Sequence, residues 1–351
     1  MDVVDRVRGC LLGGAIGDAL GAPIEFQSLR EIRRDHGTEG ITGYVTTWRG
    51  ESGLITDDTQ MTLFTVEGLL RAGGPLTSRD GDALERGGSG RGEALVVEAV
   101  RQAYLRWLDT QDHRTPPPAD RPHRTGRLRE EDWLYSRRAP GNACLSGLHK
   151  PFPGPSPLGE PGPVNPNSKG CGTVMRSAPF GLITPHPREA FEVAAACAQI
   201  THGHPTGYLA AGAFAAIVAR LMAGEPLEPA VHSTLELLAA YPAHDETTAA
   251  LRAAVELAAG GEHSPELLES LGGAWVAEEA LAIGVYCALA EPSVEGALLL
   301  SVNHSGDSDS TGSVCGNLLG ALHGAAALPA AWLRPLEGRD TIERLATELA
   351  R

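Results

Sequence analysis

Two carboxylates and two hydroxyls stand close together in residues 306–310 (GDSDS), and their types and spacing suit the binding of a metal ion. Alternate residues of an extended segment face the same way, so Asp307 and Asp309 can share one target. Oxygen ligands favour a hard cation such as Mg2+ or Mn2+. Taken alone, the segment is also explained as a solvated turn that caps the following helix, with Ser310 near the start of that helix.

A second acidic cluster, Thr56, Asp57 and Asp58, lies far upstream in the chain. Apolar residues at helical spacing follow it and stop at residues 73–75 (GGP), so the cluster is predicted to open a helix whose dipole helps to keep carboxylates ionised. Alone, this cluster is also explained by helix capping. Together the two clusters offer hydroxyls and four carboxylates at two helix starts, a set that suits two divalent cations a few ångströms apart.

Two sets of glycines are expected to position these clusters. The helix predicted at residues 5–21 has a glycine at every fourth position over part of its length, and so has the helix after the second cluster. Each glycine costs up to ~1 kcal/mol of helix propensity against Ala, so packing must offset the loss. We expect the two smooth faces to pack against each other, although each could contact a different helix. The glycines are Gly13, Gly17 and Gly21 in the first helix and Gly312, Gly316 and Gly320 in the second.

The remaining periodicity predicts an all-α protein. Aromatic residues make up only 5% of the chain, whose Ala, Leu and Gly content favours close-packed helices. No repeat or linker divides it, so residues 1–351 are expected to form a single domain with a loop at 76–95 and an irregular Pro/Arg-rich excursion at about 110–166. Further helices are predicted at about residues 95–108, 188–199, 205–223, 227–240, 245–258, 275–290 and 293–302.

The charge and the cysteines exclude some classes of function. A net charge of −15 disfavours non-specific binding to nucleic acid or to an anionic membrane, so nucleic acid is expected only as a modified substrate. The six cysteines form no C-x-x-C pair, which indicates buried thiols in a reducing cytoplasm. Acidic residues interrupt the start of the sequence, so we expect no signal peptide, and we expect no apolar run long enough to span a bilayer.

Several other residues could contact a ligand, each with a structural alternative. Glycines in the predicted turn at residues 170–173 (GCGT) would let backbone N–H groups approach a diphosphate, although such a turn can be purely structural. His202 could bind a metal, but it more often orients a neighbour through a hydrogen bond. Trp275 could stack on a planar ring or belong to the core, and Glu25 by default lies on the surface.

Four motifs in this order resemble the ADP-ribosylglycohydrolase family: residues 12–21 (LGGAIGDALG), 56–59 (TDDT), 170–176 (GCGTVMR) and 306–312 (GDSDSTG). The resemblance runs from about residue 7 to 325 and omits the Pro/Arg-rich excursion. It implies a compact, orthogonally packed all-α fold with a two-metal centre, Mg2+ or Mn2+, in a cleft. The metal ligands that it implies are Thr56, Asp57, Asp58, Asp307, Asp309 and Ser310.

The resemblance also implies hydrolysis of the bond between C1 of the distal ribose and an acceptor, with ADP-ribose as product. A carboxylate would take a proton while the transition state gains positive charge. We assign this base to Asp58 or Asp309, with Glu25 as the third candidate. The diphosphate and the rest of the ligand would contact Gly141, Gly170, Cys171, Gly172, Thr173 and His202, with Trp275 or Tyr104 beside the adenine or distal ribose.

The acceptor is less constrained. Ser310, the turn at residues 138–141 (RAPG) and the Cys171-Gly172 pair resemble the arginine-specific branch, which predicts an ADP-ribosylated arginine on a protein as substrate. Serine, nucleobase and small-molecule linkages stay open, because Glu25 occurs in more than one branch. Two other classes also stay open: a non-catalytic ADP-ribose-binding protein, and a two-metal phosphoesterase that would release AMP.

Overall fold

The computed structural model describes residues 2–47, 49–74 and 89–351. Within these ranges the backbone forms sixteen α-helices and no strand, and 62% of it is helical, as the all-α prediction requires. The helices are α1 (Val3–Gly21), α2 (Leu29–His36), α3 (Asp57–Ala72), α4 (Ser89–Asp112), α5 (Asn142–Leu148), α6 (Ala178–Leu182), α7 (Pro187–Ala198), α8 (Pro205–Met222), α9 (Leu227–Leu238), α10 (Asp245–Ala258), α11 (Pro265–Leu268), α12 (Ala277–Ala290), α13 (Val294–Val302), α14 (Ser308–His323), α15 (Ala330–Leu333) and α16 (Arg339–Leu349).

The long predicted helices are all present, and their ends are shifted by a few residues. The loop expected at 76–95 falls largely outside the described residues, but from Ser89 onward that segment is already helix α4. The irregular excursion contains helix α5 and two 3-10 turns, Leu128–Glu130 and Asp132–Leu134. A bidentate ion pair holds the excursion to α4, in which Arg124 donates to both carboxylate oxygens of Asp109 at 2.9 Å.

Helices α1 and α14 pack antiparallel through their glycines, which confirms the predicted pairing. A Cβ added at Gly17 would overlap the carbonyl of Gly312, and the same holds for Gly13 against the carbonyl of Gly316. Only hydrogen fits between these backbones, so no larger side chain could occupy the contact. This approach places the start of α14 beside the last turn of α1, where the chain turns toward Glu25.

Helix α8 lies at the centre of the core. Its length and composition alone would suit a membrane span, which differs from the expectation that no such run exists. However, 89% of its apolar window is buried inside the protein. A helix that is apolar all round is the usual central helix of a large helical core, and α8 packs against its neighbours in that way.

The two acidic clusters lie at the N-termini of α3 and α14, and these two N-termini lie beside each other. Thr56 is the N-cap of α3, and its hydroxyl accepts from the backbone N–H of Asp58 at 3.3 Å. Asp307 is the N-cap of α14 and accepts from the N–H of Ser310 at 3.4 Å. The helix-cap interpretation and the ligand interpretation are therefore compatible, since Asp57, Asp58, Asp307 and Asp309 all line one cavity.

Candidate metal centre and ligand cavity

The two clusters meet at a cavity of about 590 Å3. Five carboxylates line it, and no Lys or Arg is among the lining residues that the structure describes. Four of the carboxylates come from the starts of α3 and α14, and the fifth follows the end of α1. They are Glu25, Asp57, Asp58, Asp307 and Asp309, with Ser310 beside them.

Three of these side chains converge closely enough to hold one ion. Carboxylate oxygens of Glu25, Asp307 and Asp309 all lie within 4.8 Å of one another. Glu25 was predicted only as a candidate base, so its place inside the acidic group adds a possible metal ligand. All three are oxygen donors, the ligand type that Mg2+ and Mn2+ prefer.

The carboxylates that line the cavity repel one another, and a positive charge between them would stabilise their ionised forms. Burial, and then the neighbouring Asp309, raise the pKa values of Asp57 and Asp58 well above their usual range. Burial and the charges of Asp309 and Asp307 raise the pKa of Glu25 to about 10. A bound cation would reverse these shifts, because it favours the ionised carboxylates that now repel one another.

One buried atom supports the same conclusion. Asp58 is only 3% exposed, and its Oδ2 atom has no hydrogen-bond partner among the described residues. A buried carboxylate oxygen without a partner is costly unless something absent from the protein chain satisfies it. The donor set therefore fits a divalent cation, and the orphaned oxygen indicates where that cation would bind.

Asp18, which is buried on α1, holds the start of α3 and so orients the cluster of Thr56, Asp57 and Asp58. Its carboxylate accepts hydrogen bonds from the backbone N–H and the hydroxyl of both Thr56 and Thr59. Because the Thr56 hydroxyl is held by Asp18 at 2.9 Å, its role as a metal ligand stays a prediction. No role was predicted for Asp18, which is fully buried, although an acidic residue in a glycine-rich apolar helix is itself a sign of a buried polar contact.

The opposite wall is built from the segment around residues 170–173, which forms a 3-10 turn. Gly170, Cys171 and Gly172 line the cavity, as does Gly141, whose N–H donates to Asp57 at 3.2 Å. Thr173 does not line it. Its hydroxyl is buried and donates to the carbonyl of Gly207 at 2.8 Å, so the expected direct contact with a ligand is replaced by a bond that anchors the turn to α8.

His202 also lines the cavity, and buried neighbours fix its protonation. Arg176 donates to the Thr201 hydroxyl at 2.6 Å, and this hydroxyl lies 2.7 Å from Nδ1 of His202. Because Arg176 can only donate, the Thr201 hydroxyl accepts from it, and the 2.7 Å contact with Nδ1, against 3.5 Å to the Ala198 carbonyl, favours donation to Nδ1 and a ring hydrogen on Nε2. Burial and the Arg176 charge lower the pKa of His202 to about 3, so the neutral ring offers an N–H donor beside Gly170 and Gly172.

The structure separates the two aromatic residues that were expected to flank a ligand. Trp275 is 44% exposed and stacks on Phe26, with ring centroids 5.1 Å apart, and both residues line the cavity. Tyr104 is only 1% exposed and donates to, or accepts from, the Thr65 hydroxyl. The predicted ligand contact of Tyr104 is therefore corrected: its ring supports the Arg176 guanidinium at 4.5 Å, one layer behind the cavity.

A larger cavity, about 850 Å3, lies between α4 and the Pro/Arg-rich excursion. Its carboxylate Asp109 is already paired with Arg124 and lies 3.2 Å from His123. The acidic cavity described above has a buried carboxylate oxygen without a partner, at Asp58, whereas the buried carboxylate of the larger cavity, Asp109, is already paired.

Comparison with known proteins gives a consistent result. A model of the ADP-ribosylglycohydrolase family matches residues 1–351. The ADP-ribosyl-[dinitrogen reductase] glycohydrolase of Rhodospirillum rubrum is 26% identical, over 95% of this chain and 91% of the relative. The ADP-ribosylarginine hydrolase Tri1 of Pseudomonas putida (strain GB-1) is 23% identical, over 99% of this chain and 78% of the relative. A solved structure described as an ADP-ribosylglycohydrolase-related protein complex superposes with a TM-score of 0.63 at 26% identity, covering 99% of this chain and 98% of that one.

Proposed function

The chain belongs to the ADP-ribosylglycohydrolase family, and from this premise we propose that it is a divalent-metal-dependent hydrolase that removes ADP-ribose from a modified arginine side chain of a protein. Family membership supports the hydrolysis of an ADP-ribosyl linkage. The observation that carries the finer proposal is the cavity with five carboxylates and no Lys or Arg in its described lining. An anionic ADP-ribosyl group would be repelled there unless cations neutralised the wall.

We assign two Mg2+ or Mn2+ ions to this wall. The proposed ligands are Thr56, Asp57, Asp58, Asp307, Asp309 and Ser310, with Glu25 added because its carboxylate meets Asp307 and Asp309. When bound, such ions would orient the vicinal ribose hydroxyls and lower the pKa of a water molecule.

The chain's own groups then have separate tasks. The transition state of glycosidic cleavage gains positive charge at the anomeric carbon, and the surrounding carboxylates stabilise it. Asp58 or Asp309 would take the proton of the attacking water, with Glu25 as the third candidate.

The far end of the cavity suits the rest of the ligand. Gly170 and Gly172 present backbone without side chains, and the Nε2 hydrogen of His202 can donate to a diphosphate oxygen. The exposed Trp275–Phe26 stack offers a flat apolar surface at the cavity rim for the adenine or the distal ribose.

An arginine acceptor is supported by charge. A guanidinium leaving group is cationic, and acidic groups at the cavity stabilise it, whereas a neutral serine hydroxyl gains little from them. The names of two relatives, which mention arginine and dinitrogen reductase, support protein substrates of this kind.

Incubation with arginine-, serine- and nucleobase-linked ADP-ribose, with Mg2+ or with EDTA, tests the proposal. We expect intact ADP-ribose from the arginine linkage, only with the metal, and none from Asp309→Asn. Asp112→Asn, an exposed carboxylate at the larger cavity, should behave as wild type. Release of AMP would indicate attack at phosphorus, and binding without turnover would indicate a non-catalytic ADP-ribose-binding protein.

A further inference from the structure

A further cavity of about 350 Å3, the adjoining cavity, lies next to the acidic one. It is lined by the end of α1 and by parts of the segment that leads to α3. Three residues line both cavities and form the wall between them: Glu25, Phe26 and Ala139. Thr56, which opens the upstream acidic cluster, lines the adjoining cavity as well. The adjoining cavity therefore borders the candidate metal centre.

The lining of the adjoining cavity differs in character from that of the acidic one. Most of the lining residues that the structure describes are apolar, among them Pro23, Val45 and Leu54. The charged residues of this described lining are Glu25 and Arg138. Arg138 is already paired, because it donates to both carboxylate oxygens of Glu337 and to the carbonyl of Ile55. The neighbours of Glu25 are carboxylates instead, so an apolar cavity has negative charge at its wall.

The wall between the two cavities has a strained backbone. Phe26 has a φ of 69° and Ala139 a φ of 48°, in the left-handed region that residues with a Cβ rarely adopt. Only five non-glycine residues of the described ranges have a positive φ, and two of them belong to this wall of three residues. Strained backbone clusters at active sites and ligand clamps, so its concentration here favours a ligand-binding role for the wall.

The strained segment at residues 138–141 is anchored on both sides. Arg138 donates to Glu337 at 2.9 Å, and the Gly141 N–H donates to Asp57 at 3.2 Å in the acidic cavity. Ala139 lies between these two anchors. A wall held in this way can select a ligand by length and charge, because it does not move aside for a misfitting one.

The size of the adjoining cavity fits one long side chain. A volume of about 350 Å3 is near the lower end of the range for small-molecule sites, so it is too small for a second nucleotide beside the first. Two exposed residues, Pro23 and Phe26, belong to its lining, so the cavity reaches the protein surface. The backbone of a substrate protein can therefore remain outside while one of its side chains enters.

We propose that the adjoining cavity is the acceptor subsite, and that it binds the arginine side chain from which ADP-ribose is removed. The methylene stem contacts Val45 and Leu54, and the guanidinium lies at Glu25, where the two cavities meet. A guanidinium suits a carboxylate because its planar fork donates two parallel hydrogen bonds. The inference rests on the proposed function and adds to it the residues that select the acceptor.

The binding of agmatine tests the proposal without turnover. Agmatine has the guanidinium and methylene chain of arginine, and ADP-ribose with Mn2+ would already fill the acidic cavity. We expect saturation-transfer NMR to show agmatine bound to this complex, and the uncharged urea analogue N-carbamoylputrescine to bind about tenfold more weakly or less. Leu54→Trp should fill the adjoining cavity and abolish agmatine binding, while ADP-ribose affinity stays nearly unchanged. Leu105→Trp is the matched control, because Leu105 is also half-buried but lines the larger cavity beside α4.

Hydrolysis of an arginine-linked ADP-ribosyl peptide gives a second measurement. Leu54→Trp should raise KM about tenfold or more with little change in kcat, because the lost contacts hold the acceptor equally in the ground state and the transition state. Val45→Trp, which fills the cavity from another part of its lining, should have the same effect, so the test does not depend on one variant.

Agmatine binding that survives both substitutions, or that the wild-type protein lacks, would overturn the proposal. The two ideas fail separately. Cleavage of the arginine linkage with an unchanged KM in both variants refutes only the acceptor subsite. Agmatine binding that both substitutions abolish, in a protein that does not cleave the linkage, refutes only the hydrolase.

Discussion

Replacing Gly17 by Ala tests the contact on which the position of the whole site depends. The added Cβ would overlap both the carbonyl carbon and the carbonyl oxygen of Gly312. These are main-chain atoms, so no side chain can turn aside, and helices α1 and α14 must move apart. We therefore take the upper part of the usual cost of overpacking, about 3 kcal/mol. Ala also gains up to ~1 kcal/mol of helix propensity over Gly, which leaves a net loss of about 2 kcal/mol.

For a chain of 351 residues, this loss corresponds to a fall in Tm of about 3 °C. The fall should be accompanied by weaker Mn2+ binding, because Asp18 lies on α1 while Asp307 and Asp309 belong to the start of α14. Thermal unfolding followed by circular dichroism, and calorimetric titration with Mn2+, measure the two effects.

Gly92→Ala is the matched control, since it makes the same change in another helix. Gly92 is exposed in α4, and a Cβ there would meet no atom of the described residues within 4 Å. It should therefore keep the propensity gain and raise stability by up to ~1 kcal/mol. A Gly17→Ala protein as stable as wild type would show that the two helix backbones are not in contact.

Three further substitutions examine the groups around the site. Asp18→Asn should lower stability by about 3 kcal/mol and weaken Mn2+ binding, because an amide cannot accept all four hydrogen bonds; an unchanged Tm and affinity would contradict this. In the metal-free protein, burial and neighbouring carboxylates raise the pKa of Glu25 to about 10. Above about pH 5 the folded state therefore keeps a proton that the unfolded chain releases. Stability is therefore lost as pH rises toward 10, and Glu25→Gln should raise Tm in EDTA at about pH 8 but hardly at about pH 4; an equal effect at both pH values would refute it. Thr201→Val should weaken ADP-ribose binding about tenfold and shift the 15N signals of His202, because the ring loses the hydroxyl that sets its tautomer. Thr201→Ser keeps that hydroxyl and should leave the binding and the 15N signals as in the wild type.

Much of the fold could be predicted because the signals are local or symmetric. Apolar spacing located the long helices, and the glycines of α1 and α14 predicted their pairing because close approach is the main reason to keep glycine in a helix. Helices α2 and α16 were missed, although the buried Ile342, Leu345 and Leu349 give α16 an apolar face that could have predicted it. Helix α2 has only two buried residues, Leu29 and Ile32, which is too few to form a periodic pattern.

The site was predicted less evenly. The acidic clusters combine rare residue spacings with helix starts, so they stand out in the sequence. Phe26 carries no such signal, because its stacking on Trp275 joins residues far apart in the chain. Asp18 stands out as an acidic residue in an apolar helix, but its partners lie at the start of another helix and could not be named from the sequence. Tyr104 was placed wrongly because composition cannot tell an aromatic ring at a cavity from one directly behind it.

The central claim is that the acidic cavity holds an ADP-ribosyl group through divalent cations. Calorimetric titration of ADP-ribose and of AMP, each with Mn2+ and with EDTA, tests it most directly. AMP lacks the distal ribose and the diphosphate, so it should bind far more weakly than ADP-ribose in the presence of the metal. We predict that EDTA weakens ADP-ribose binding much more than AMP binding, because carboxylates alone repel the anionic ligand. Equal losses for both ligands, or no loss for ADP-ribose, would contradict the claim and place the cations away from the ribose.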